Sequence, residues 1–289
     1  MNYFKKLFIA CLAITTIFVS ACSTTSSTAS NGKKGNFPEE KLGWMLGSQA
    51  YTFRLFTFAQ ALDKIDSAGL RHVEAFPGQP IGAGSKEHLS HNLSTEGRAF
   101  VKQLLKDKKI SIQAYGVIVP GSEEEWEKVF VFAKDLGIKV INTEPKVEHL
   151  DLISKLADQY DIKVAIHNHP DPSYYWNPDV VLKALEGRSS RLGATADVGH
   201  WMRSGLDPVE SLKKLSGRIY HIHFKDLNEF NKKNAHDVHW GTGKLGLKNV
   251  IEELKRQKYK GMIAAEYEYN WENNMNDVKV SAVNFRAAL

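Results

Sequence analysis

From Met45 to the C-terminus, short runs rich in β-branched and apolar residues alternate with longer stretches whose apolar positions recur every three or four residues. The short runs predict strands over Met45–Tyr51, His72–Phe76, Ile110–Tyr115, Lys139–Thr143, Lys163–His167, Leu192–Ala196, Arg218–His223 and Met262–Tyr267. The periodic stretches predict helices with one buried face over Ala59–Ala68, Glu96–Asp107, Glu123–Leu136, Leu150–Tyr160, Val180–Glu186, Pro208–Leu215 and Leu247–Gln257. Ala68-Gly69-Leu70, Leu136-Gly137-Ile138 and Ser216-Gly217-Arg218 supply glycine turns that end a helix and feed the next strand.

Strands followed by helices predict a parallel sheet, either closed into a barrel or open and doubly wound. No Gly-x-Gly-x-x-Gly follows the first strand, which removes the commonest reason to prefer the open sheet. The pattern therefore reads as α/β, a single (β/α)8 TIM barrel over residues 41–289 with no Pro/Gly-rich linker dividing it. Two long loops, 77–93 and 226–246, follow strands and so belong to the C-terminal face, where barrels build active sites.

The N-terminus breaks this rhythm. Lys5 and Lys6 precede an apolar run, Leu7 to Val19, that is too short for a membrane span of about 20 residues and reads as a secretory signal. It ends Val19-Ser20-Ala21-Cys22, which resembles the lipobox of bacterial lipoproteins. That resemblance implies cleavage after residue 21, acylation of Cys22 and an extracytoplasmic protein held to a bacterial membrane by its lipid alone. Residues 22–40, rich in Ser, Thr, Asn and Gly, then read as a flexible tether. The chain has 2 cysteines, Cys11 in the signal and Cys22 at its end, so no thiol remains for a disulfide or a thiolate metal site. Losing Lys5 and Lys6 lowers the net charge from +5 to +3, and no basic stripe with interleaved aromatics stands out, so nucleic acid is not an expected partner.

The chemistry-bearing residues gather at the ends of the later strands. Glu144 closes the fourth, His167 and His169 the fifth, Asp197 and His200 the sixth, His221 and His223 the seventh, Glu266 and Glu268 the eighth. In a barrel these ends converge on one axis, so imidazoles and carboxylates could meet at one ion. Such a set suits Mn²⁺, Co²⁺, Zn²⁺ or Fe²⁺. Aromatic residues near the same loops, among them Trp201, could stack on sugar rings.

Asp197-Val198-Gly199-His200, His223-Phe224-Lys225-Asp226 and Glu266 resemble the xylose-isomerase-like TIM barrels, the superfamily of sugar isomerases and epimerases, inosose dehydratases and the endonuclease IV type. The resemblance implies one divalent metal, Mn²⁺ favoured, held by a Glu, an Asp, a His and a Glu from strands five to eight. Asp197, His223 and Glu266 match three of these. Strand five departs, reading His167-Asn168-His169 where many relatives read Glu-Asn-His. An imidazole bound to metal cannot serve as a base as a glutamate can. The resemblance thus implies that His167 stays a ligand while proton transfer passes to Glu144, Lys225 or His169, with Glu144 also a candidate fifth ligand.

Glu74, Asn168, His200, Trp201 and His239 are the candidate substrate contacts. The His-Asn-His departure shifts the expectation from plain epimerisation towards a lyase or hydratase acting on a keto sugar or 3-keto glycoside. The alternative is a sugar-binding surface lipoprotein without catalysis. The nuclease reading lacks support, since strands two and three end in Glu74-Ala75-Phe76 and Gln113-Ala114-Tyr115 without the histidines of endonuclease IV relatives.

Overall fold

The computed structural model describes residues 37–289; the predicted signal, Cys22 and nearly all of the tether lie outside the described residues. Strands β1 (Trp44–Gln49), β2 (His72–Ala75), β3 (Ser111–Ile118), β4 (Val140–Thr143), β5 (Lys163–Ile166), β6 (Leu192–Asp197), β7 (Ile219–Phe224) and β8 (Gly261–Ala265) pair in parallel, each with its sequence neighbours. β8 returns to β1, in the register Met45 opposite Met262, and closes the barrel. The predicted (β/α)8 architecture is the observed one.

Helices α1 (Phe58–Ser67), α2 (Thr95–Lys108), α3 (Glu123–Leu136), α4 (Leu150–Tyr160), α5 (Pro178–Leu185), α6 (Val198–Arg203), α7 (Pro208–Lys214), α8 (Leu247–Arg256) and α9 (Met275–Ala287) cover the barrel. Each of α1, α2 and α3 starts at a Thr or Ser whose hydroxyl accepts a backbone N–H of the first turn, which satisfies an otherwise orphaned donor. Their apolar faces press on the strands. Trp126 of α3 is fully buried, and its indole donates to His149 Nδ1 at 3.1 Å.

Neither α6 nor α9 is predicted by the residue pattern. α6 is short, and α9 buries only Val278, Ser281, Ala282 and Phe285, too sparse a stripe to read as periodic. Strands one and eight also stop short of their predicted ends at Tyr51 and Tyr267. Ala50–Phe53 turns into a 3-10 helix, with the Gln49 side chain accepting Tyr51 N at 3.2 Å. Thr52 Oγ1 then donates to Ala265 O at 3.1 Å and accepts Tyr267 N at 3.0 Å, so one hydroxyl bends both chains away from the sheet. At the other end the folded body begins before the expected boundary at residue 41. Pro38–Leu42 forms a 3-10 turn, and buried Glu39 pairs with Arg286 at 2.7 Å, so these residues belong to the folded body. Among the described residues no helix is long and apolar enough to cross a membrane.

The long loop after β7 is organised by one carboxylate. Asp226 accepts Gly241 N at 2.8 Å, Gly243 N at 3.0 Å and Leu245 N at 2.9 Å. A Cβ on Gly243 would lie 2.3 Å from Asp226 Oδ1, so glycine is required for this approach. The glycines of His239-Trp240-Gly241-Thr242-Gly243 therefore serve an internal carboxylate. Asp226→Ala removes the common acceptor of three backbone donors and should lower stability by about 3 kcal/mol in urea unfolding. Unchanged stability would show that the loop does not depend on this cradle.

Candidate metal centre and its acid–base rim

Four buried side chains from four successive strand ends meet at the barrel mouth: His167, Asp197, His223 and Glu266, with candidate ligand atoms all within 4.8 Å of one another. His167 Nε2 and His223 Nδ1 are 3.1 Å apart. Asp197 Oδ2 lies 3.6 Å from the former and 3.8 Å from the latter, and Glu266 Oε2 is 2.9 Å from His223 Nδ1.

Outer carboxylates decide which ring nitrogen faces the cluster. A carboxylate only accepts, so Glu74 Oε2, 2.7 Å from His223 Nε2, fixes that nitrogen as the donor and leaves the Nδ1 lone pair inward. Glu144 Oε1, 3.3 Å from His167 Nδ1, does the same for His167 and leaves Nε2 inward. Two imidazole nitrogens and two carboxylates thus converge in a buried space. Such a donor set fits a divalent cation of the Mn²⁺, Co²⁺, Zn²⁺ or Fe²⁺ type. The field at the cluster points the same way: burial disfavours a charged His223, yet Glu266 and Glu74 together raise its pKa to about 10. Burial likewise opposes ionisation of Glu266, but His223 and Lys225 lower its pKa to about 2.

Asp197 has two tasks. Its Oδ1 accepts His200 N at 2.8 Å, which caps α6, while its Oδ2 faces the cluster. A polar belt crosses the barrel beneath: Thr195 Oγ1 donates to Asn142 Oδ1 and Asn142 Nδ2 to Glu74 Oε1, each at 2.6 Å. His221 Nε2 completes the belt on Glu74 Oε2 at 2.6 Å.

Several predicted site residues take other places. Glu74 is fully buried with both oxygens committed, so it orients His223 and cannot touch a substrate. Asn168 spends its amide on Asp197, donating to Asp197 O at 3.0 Å and accepting Asp197 N at 2.9 Å, which ties β5 to β6. Trp201 is 1% exposed within the hydrophobic core and offers no ring face to a sugar. Lys225 is fully buried against Asp197 Oδ2, at 2.7 Å, and Glu266 Oε2. Burial opposes its charge, but those carboxylates raise its pKa, so the ammonium is held as their counter-charge. His239 pairs with Asp277 of α9 at 2.9 Å.

His200 lies under the rim. Its Nδ1 receives Arg203 Nη1 at 3.1 Å, and its Nε2 approaches Asp197 Oδ2 at 3.4 Å. Burial, above all, pushes its pKa well down, so this imidazole is neutral. Arg203 was not singled out from the residue pattern. Its i+3 spacing from His200 on a helix was the available signal, but an unpredicted helix hid it. Arg203 also reaches Glu268 Oε2 at 3.1 Å.

Glu144 and His169 form the outward-facing part. Glu144 stands outside the four-residue cluster, on the far edge of His167. It accepts His169 N at 3.1 Å, the His169 ring Nδ1, and Ser173 Oγ at 2.9 Å. Burial works against its ionisation, but the two histidines hold its pKa well below the ordinary carboxylate range. The His169 side chain is 49% exposed, and Nδ1–H bound to Glu144 leaves its Nε2 lone pair toward solvent.

The fold agrees with comparisons to other proteins. A family model described as xylose isomerase-like TIM barrel matches residues 62–282. The chain belongs to that family. A protein of Methanocaldococcus jannaschii is 30% identical over 122 residues, and the match spans 40% of this chain and 41% of that one. An inosose dehydratase of Lacticaseibacillus casei is 21% identical over 277 residues, covering 78% of this chain and 87% of the dehydratase. Among solved structures, a protein of Parabacteroides distasonis superposes with a TM-score of 0.70 at 39% identity, over 84% of this chain and 98% of that one.

Glu74→Gln keeps the side chain's size but removes the charge that fixes the His223 tautomer. Mn²⁺ affinity should fall about 10- to 100-fold in titration calorimetry, and an unchanged affinity would remove Glu74 from the site. A ligand with a pKa of about 10 must also shed its proton to bind metal. Mn²⁺ uptake at pH 7.5 should therefore release about one proton, read from calorimetry in buffers of different ionisation heat, and affinity should rise with pH. Uptake without proton release would contradict this assignment.

Proposed function

We propose that this chain is a metal-dependent enzyme that removes the proton beside the ketone of a keto sugar and expels a group from the neighbouring carbon, a lyase or dehydratase reaction. The Glu144–His169 pair carries this reading. It is a carboxylate-oriented imidazole with a free nitrogen at the mouth, one residue away from a buried cluster of four cation ligands. The ion, when bound, would polarise the ketone and acidify the adjacent C–H.

His167, Asp197, His223 and Glu266 would hold that ion, with Lys225 neutralising part of the carboxylate charge. His169 Nε2 takes the proton, and Glu144 holds the ring in the donating tautomer and stabilises the imidazolium. The C–H electron pair becomes the new C=C bond as the C–O bond two atoms from the ketone breaks. The departing oxygen then receives a proton from His169, so substrate yields an unsaturated keto sugar and an alcohol or water with no other reactant. Epimerisation would need a second base on the opposite face. Of the cluster's carboxylates, Glu266 is committed to His223 and Lys225 and Asp197 to His200 N and Lys225, which favours elimination. The dehydratase activity named for the Lacticaseibacillus casei relative supports the same class. The N-terminal lipobox-like segment supports an extracytoplasmic, lipid-anchored setting for this chemistry.

Metal-loaded protein incubated with methyl 3-keto-glucoside should release methanol and an unsaturated keto sugar, followed by NMR. His169→Gln should lower kcat by about 10²- to 10⁴-fold with metal content unchanged. Full activity in that variant, or after complete chelation, would overturn the proposal.

A further inference from the structure

Beside the acid–base rim lies a cleft of about 350 Å³, lined by Asp171, Trp176, Arg203, Ser204, Asn231 and Lys233 from the segments that follow β5, β6 and β7. We propose that this cleft is a second sugar subsite, so that the substrate is a glycoside of at least two rings with the oxidised ring over the metal centre. The inference rests on the keto-sugar reading above and names its substrate class.

The cleft adjoins the catalytic rim directly. Asp171 follows His169 by two residues, and Asp171 N donates to Ser204 Oγ at 3.1 Å, which brings the segment after β5 against the end of α6. Arg203 forms the shared wall. Its Nη1 contacts His200 Nδ1 at 3.1 Å, and the His200 ring centre is 5.2 Å from that of His169. A group leaving from the ring above His169 therefore has the cleft as its neighbour.

The lining is built and polar. Asn231 has φ of 57°, a left-handed conformation that costs a non-glycine residue, and its N–H is fixed on Met202 O at 2.9 Å. Arg203 Nε donates to Ala235 O at 3.2 Å, pinning the same loop from the other side. Among the described residues the Asn231 amide and the Trp176 indole N–H make no hydrogen bond, and Lys233 reaches Asp171 only at 3.4 Å. A half-buried indole, an amide with both ends free, a carboxylate and two cations around a concave space form a mostly neutral, hydroxyl-binding surface. An anion is less well matched, since Arg203 is already paired with Glu268 at 3.1 Å and Asp171 contributes negative charge.

The test compares methyl 3-keto-glucoside with 3-keto-maltose on the metal-loaded full chain. The two-ring probe should show kcat/KM at least tenfold higher, and Trp176→Ala should collapse that ratio at least fivefold. Asn231→Gly, which keeps the left-handed backbone, should lower the ratio as well, so the outcome does not hang on one variant's folding. A ratio near one in the intact protein, or one unmoved by both substitutions, overturns the subsite. If neither probe turns over, the keto-sugar reading fails separately, and the cleft is then judged by maltose binding in saturation-transfer NMR. Binding weakened by both variants supports it; no binding, or binding indifferent to both, rejects it.

Discussion

At the barrel mouth, His167 Nε2 and His223 Nδ1 face each other at 3.1 Å beside the buried carboxylates of Asp197 and Glu266. Electron pairs at that distance in a dry environment repel unless a cation or protons stand between them. Much of the neighbouring architecture follows from meeting this condition. Glu74 and Glu144 hold the outer ring nitrogens as donors, Lys225 offsets the carboxylates, and Asn168 fixes the Asp197 backbone from β5. Removing one partner of such a set costs about 3–5 kcal/mol, because the others remain buried and uncompensated. The barrel supplies the matching geometry, since consecutive parallel strands end on one axis and alternate residues point inward.

The same constraint separates roles that a list of strand-end residues leaves merged. A side chain saturated by protein partners is scaffold, as Glu74, Asn168 and Lys225 are. A side chain with one nitrogen oriented and the other free is available for chemistry, as His169 is. The replacement of a strand-five glutamate by His167 then has a structural companion. Glu144, after the adjacent strand, sets a negative charge at the far edge of the imidazole and also orients His169.

The fold was largely legible because its signals are local. Strand runs, helix periodicity and glycine turns are short-range patterns, and the strand-end positions of His167, Asp197, His223 and Glu266 followed from them. Predicted ends failed where a tertiary hydroxyl, Thr52, overrode β propensity at Tyr51 and Tyr267. Helices α6 and α9 escaped because one is too short and the other buries too few apolar residues to show a period. The outward or inward sense of Glu74, Asn168, Trp201 and Lys225 depends on partners far along the chain, such as Glu74 with His223, and no local pattern encodes it. The Arg203 cleft escaped for the same reason.

The central claim is that one divalent cation sits among His167, Asp197, His223 and Glu266, with Glu144 outside its ligand set. Anomalous diffraction from crystals of the Mn²⁺-loaded protein tests it most directly. The account predicts a single peak bounded by His167 Nε2, Asp197 Oδ2, His223 Nδ1 and Glu266 Oε2. A peak bounded instead by Glu144, His167 Nδ1 and His169, or no peak at the barrel mouth under saturating Mn²⁺, would contradict it.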